Sequence, residues 1–79
     1  RRGLLRNVAV ALGNSGNLSA VSTLTEALLD HEPLIRAHSV WALGELLAEK
    51  SLPIINDNLI EEKEEMVKEE IRLLRETYG

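Results

Sequence analysis

His38 and Trp41 are the side chains of this sequence best suited to recognition chemistry. They stand three positions apart in "RAHSVWALG", so a helix would carry them one turn apart on one face. Indole and guanidinium planes stack on unpaired RNA bases, and basic side chains hold phosphates. Arg6 and Asn7 in "RNVAVALG" and Arg36 just before His38 could join such a surface, with Lys68 and Arg72 on the matching side of the last helical stretch. Trp41 has two readings. It plugs a groove between helices, with the Arg72 guanidinium stacked on its ring, or it touches a partner. His38 taken alone reads as a hydrogen-bonded structural residue.

Other chemistry finds little support. The chain has no cysteine, which excludes disulfides, thiolate metal sites, Cys nucleophiles and iron–sulfur ligation by its own residues. His31 falls in an expected loop, so it and His38 do not form a metal site. The "EEKEE" run reads as a solvated helix start, because it lacks a calcium-loop pattern. Ser15, Ser19, Ser22 and Thr23 have no base and orienter placed to activate them. "GNSG" reads as a turn. No apolar run is long enough to span a membrane and no signal-peptide pattern is present. The opening "RRGLL" has no initiator Met and reads as a piece of something longer. The net charge is −4, with the acidic excess in residues 51–79, so the chain as a whole does not attract nucleic acid, although a local basic face stays open. Arg36 stands early in a helix, where the dipole disfavours a cation. A structural ion pair at the repeat junction is the preferred reading, with Asp30 and Glu32 as candidate partners.

The elements that would position these residues are helical. Seventy-nine residues make one small domain with a thin stability margin. Trp41 and Tyr78 are the sole aromatics, so the core must come from Leu, Ile, Val and Ala. The spacing predicts five helices. The first covers about 2–14 and closes in "GNSGN", where Gly13 and Gly16 can take positive φ. The second follows Ser19 as N-cap and runs to about residue 29. The third starts at Pro33 and runs to about residue 48. The fourth begins near 51–53, and the fifth spans about 64–78 with acids first and Arg72 and Arg75 near its end.

Displacing the chain by 31 residues lays Ala11-Leu12-Gly13 on Ala42-Leu43-Gly44. The same shift lays Val21, Leu24, Leu28 and Leu29 on Leu52, Ile55, Leu59 and Ile60, and Val40 and Leu43 on Ile71 and Leu74. "MVKEE" fits "LIRAH" better at 32. A period of this size in helix–turn–helix units predicts an all-α fold, a short right-handed α-solenoid of two and a half repeats with units 1–16, 17–48 and 49–79. A plain up-down bundle would not require the period. On the third helix, Ile35, Ser39, Ala42, Leu43, Leu46 and Leu47 form the expected packing stripe, with Leu34, Ala37, His38, Trp41 and Glu45 opposite. Leu4, Leu5, Val8 and Leu12 should leave apolar surface uncovered and favour weak self-association of an isolated fragment.

"PLIRAHSVWALG" resembles the second helix of a HEAT-type repeat. Together with "RNVAVALGNSGN" it is similar to the C-terminal repeats of bacterial epoxyqueuosine reductases, closely over residues 4–47 and by repeat pattern over 48–79. The resemblance implies a cytoplasmic parent oxidoreductase, using cobalamin and two [4Fe–4S] clusters, that completes queuosine on tRNA. This stretch would then be non-catalytic, hold no cofactor, adjoin the N-terminal catalytic region and help bind the tRNA. The residues carried over are Arg6, Asn7, Arg36, His38 and Trp41; Lys68 and Arg72 rest on the face argument alone. A generic HEAT protein–protein scaffold is the alternative, and an independent enzyme finds almost no support.

Overall fold

The computed structural model describes residues 20–79. Among them are four α-helices and no strand: α1 (Val21–Ala27), α2 (Pro33–Leu47), α3 (Ser51–Asn58) and α4 (Glu65–Tyr78), with a 3₁₀ turn over Ala48–Lys50 between α2 and α3. These are the second to fifth of the expected helices. The first, with Gly13, Gly16 and the apolar set Leu4, Leu5, Val8 and Leu12, lies outside the described residues, as does Ser19.

Local chemistry explains the boundaries. α1 ends at Ala27, slightly short of expectation. Leu28 keeps helical angles, and its N–H bonds back to the carbonyls of Leu24 and Thr25, both at 3.2 Å. The chain then turns on Asp30, whose Oδ1 accepts the Glu32 N–H at 2.9 Å. Glu32 is extended at ψ 118°, as the residue before a proline must be, and Pro33 opens α2 at a position whose N–H would have no helical partner. α2 stops at Leu47 because Ala48 leaves the helix at φ 52°, ψ −129°. α4 has Glu65 in its first turn and Arg75 in its last, complementing the helix dipole as expected.

α2 is the centre of the packing. It contacts α1, α3 and α4, and its largest contact is with α4. Enclosure on several sides buries Ile35, Ala37, Ser39, Val40, Ala42, Leu43 and Gly44. The expected stripe therefore holds at Ile35, Ser39, Ala42 and Leu43, while Leu46 and Leu47 are only half-buried. Ala37 departs from the reading, which placed it on the outward side: it is 5% exposed, because α4 packs over that side of α2. The buried Ser39 hydroxyl donates to the Ile35 carbonyl at 2.8 Å, so its burial strands no polar atom. Gly44 leaves room for the Leu74 side chain of α4, whose Cδ1 lies against the place a Cβ would take.

Burial repeats with the sequence period. Leu24 and Ile55 are both buried, Val21 and Leu52 both half-buried, and Leu29 and Ile60 both exposed, at 65% and 80%. Val40 and Ile71, and Leu43 and Leu74, are core pairs. Leu28 is buried where Leu59 is half-buried. At the start of α4 the longer spacing holds, because Ile35 and Val67 are both fully buried.

Candidate functional site

The α2–α4 packing leaves a groove of about 560 Å³ whose walls include Leu34, His38 and Trp41 from α2 and Met66, Glu69 and Glu70 from α4. Ala37, too short to fill the space, also lines it. His38 and Trp41 are half-buried and one turn apart, as the spacing required. His38 Nδ1 lies 2.8 Å from the Leu34 carbonyl oxygen. A carbonyl only accepts, so Nδ1 carries the proton, and Nε2 of the neutral ring is left as an acceptor. Trp41 packs partly on the core and partly lines the groove. It also borders a second hollow of about 220 Å³ with Glu45, Glu70 and Tyr78.

The cations fall elsewhere. Arg36, a candidate contact residue, is a clamp between repeats: Nε donates to Glu62 Oε1 at 2.8 Å and Nη2 to Glu62 Oε2 at 2.9 Å. Its Nη1 donates to the carbonyl oxygens of Asp30 at 2.7 Å and His31 at 3.1 Å. The two side chains are only 16% and 5% exposed. The expected ion pair is thus present with a different carboxylate. Glu62 from the loop before α4 meets the guanidinium fork, and Asp30 contributes its backbone carbonyl. The Arg36 hydrogen bonds hold the Glu62 carboxyl below the usual carboxylate range against the opposing effect of burial, aided by the Glu64 N–H at 3.1 Å. The same pairing raises Arg36 above its ordinary value.

Lys68 lies 3.1 Å from Glu65, and Arg72 pairs with Glu69 and Glu76, all on exposed α4 surface. Neither cation lines the groove or the second hollow. The expected Arg72–Trp41 stack is corrected accordingly: the guanidinium is engaged by two carboxylates of its own helix, a turn away on either side. Arg6 and Asn7 lie outside the described residues. Two residues were missed in the sequence. Glu62 was read with the solvated "EEKEE" run, although Arg36 two helices' connection earlier needs a buried counter-charge. Glu70 was not singled out at all, although it is half-buried and lines both hollows that Trp41 borders. Among the described residues no three His, Asp or Glu side chains are grouped to hold a metal, and no helix is long and apolar enough to cross a membrane.

Comparison with known families decides the class. Residues 3–75 match the family described as HEAT repeats. This chain belongs to the HEAT-repeat family. The HEAT chain is also 34% identical over 73 residues to an epoxyqueuosine reductase of Staphylococcus aureus, a match covering 91% of this chain and 19% of that protein. It is 40% identical over 55 residues to an epoxyqueuosine reductase of Salmonella typhimurium, covering 70% of this chain and 14% of the relative. The chain therefore spans under a fifth of the length of the curated relatives it matches. No solved structure matches it.

Proposed function

We propose that this HEAT chain is a non-catalytic module of an epoxyqueuosine reductase and that it helps hold the tRNA substrate. The match to a limited stretch of two such reductases supports this reading. The cofactors implied by the resemblance do not fit the residues present: there is no cysteine to bind a cluster, and no described grouping of His or carboxylates replaces one. Chemistry on the base would belong to another part of the parent, with this module acting through surface contact.

Within the module, the observation that carries the assignment is the state of the three candidate cations among the described residues. Arg36 is buried against Glu62, while Lys68 and Arg72 are paired to glutamates of α4. Burial takes Arg36 out of phosphate contact, and Lys68 and Arg72 stand among the glutamates of α4, so of the candidate contact residues tRNA contact is assigned to Arg6 and Asn7. The His38–Trp41 groove, walled by Glu69 and Glu70, instead favours the second reading, a protein-facing surface of HEAT type.

The test uses the full-length reductase. Arg6→Ala and Asn7→Ala should weaken tRNA binding about tenfold or more together and flatten its salt dependence. His38→Ala and Trp41→Ala should leave tRNA affinity within about twofold, given unchanged helicity by circular dichroism. Tight binding by the folded Arg6→Ala/Asn7→Ala variant would refute the tRNA role.

A further inference from the structure

We infer that the His38–Trp41 groove is a recognition site for an arginine-bearing, apolar segment of a protein partner. Glu70 is the residue that points to it. It is half-buried on the α4 wall and borders Trp41 in both the main groove and the second hollow. Among the described residues no hydrogen bond or ion pair engages its carboxylate, whereas its neighbour Glu69 is paired to Arg72. The Glu70 carboxylate oxygens reach solvent at the groove edge, so an incoming cation can pair with them without displacing a partner.

The surrounding groups suit the same ligand. The groove offers an aromatic ring, which attracts a guanidinium over its face, and His38, whose Nδ1–H is spent on Leu34 so that Nε2 accepts. Glu45, an exposed carboxylate, stands on the other side of Trp41. The charged groups contributed here are carboxylates, and no cation lines either hollow, the reverse of a phosphate site. Leu34 and the 48% exposed Met66 supply the apolar wall that would take the carbon chain and an adjoining aliphatic residue. Arginine is preferred to lysine because its planar fork can stack on the indole while bonding Glu70.

The test uses this chain and its only tryptophan as the reporter. The probe is a short capped peptide of leucine and arginine, beside the same peptide with citrulline, a neutral isostere, in place of arginine. The arginine peptide should change Trp41 emission saturably, with an affinity that falls as salt rises. Glu70→Gln, nearly isosteric and expected to keep the fold, should bind about tenfold more weakly, about 1.4 kcal/mol, and the citrulline peptide should lose at least as much. Equal binding by Glu70→Gln with unchanged circular dichroism, equal binding of the citrulline peptide, or no saturable change would overturn the inference. So would an RNA hairpin that shifts Trp41 emission and binds Glu70→Gln more tightly than wild type. The titration reads the groove alone, whereas the tRNA assay reads Arg6 and Asn7 in the full-length reductase, so the two proposals fail separately.

Discussion

At Arg36, four guanidinium N–H groups are committed, two to the Glu62 carboxylate and two to the carbonyls that end the preceding loop. A bidentate pair this enclosed differs from the exposed Lys68–Glu65 and Arg72–Glu69 pairs, which are worth little. Removing one partner strands the other in a site without enough water to solvate it. Glu62→Gln should therefore lower unfolding free energy by about 2–3 kcal/mol in urea titration. The pH dependence has a definite sign. Glu62 has a folded pKa below its unfolded value, so its contribution is full above the ordinary carboxylate value of about 4.3 and is lost as pH falls through the depressed folded value. Arg36 is raised and stays protonated across this window. Thermal melts of wild type and Glu62→Gln should differ by a constant amount at neutral pH and converge on the acid side. A gap that persisted at low pH would show that the carboxylate charge is not what stabilises the fold.

At the level of elements, the helix ends are set by few residues, and one of them is strained. Ala48 adopts φ 52°, ψ −129°, a region that residues with a Cβ rarely enter. It is spaced by the repeat period from Asn17 and Gly79, residue types that accept positive φ more readily. Ala48→Gly should relieve strain of about 1–3 kcal/mol while adding about 0.4–1 kcal/mol of unfolded-state entropy. The net should be a stabilisation of about 1 kcal/mol, a rise of about 4–8 °C in melting temperature for a domain of this size. A lower melting temperature would show that the turn does not hold this conformation in solution. The same period accounts for the opposite behaviour of Leu29 and Ile60, which sit exposed at equivalent places just past α1 and α3, and of Leu24 and Ile55, buried one turn earlier.

Across the whole molecule, α2 joins everything described to one core. α-Solenoids can unfold repeat by repeat when each unit touches only its neighbours. Here α2 contacts α1, α3 and α4, and Leu74 of α4 reaches the space that Gly44 leaves open. Far-ultraviolet circular dichroism and Trp41 fluorescence should accordingly report coincident transitions in urea. Trp41 losing its emission signal well before helicity falls would show that the α2–α4 contact opens on its own.

Much of this fold was legible in the chain. Apolar spacing located α2, α3 and α4 to within a residue or two, because helix periodicity and a proline at the first helical position are local signals. The 31-residue repeat carried the class, since a helical hairpin with one apolar face must stack on another. The pairing of His38 with Trp41 was also local, being a consequence of 3.6 residues per turn. What the spacing could not supply was partner choice. Arg36 met Glu62 rather than an acid nearer in sequence, and Arg72 bonded its own helix rather than Trp41. Ala37 was buried, and Glu70 came to line the same groove as Trp41, because α4 lies across α2. Periodicity along one helix determines which residues share a face; only the packing of two helices, which depends on residues far apart in the chain, decides what that face meets.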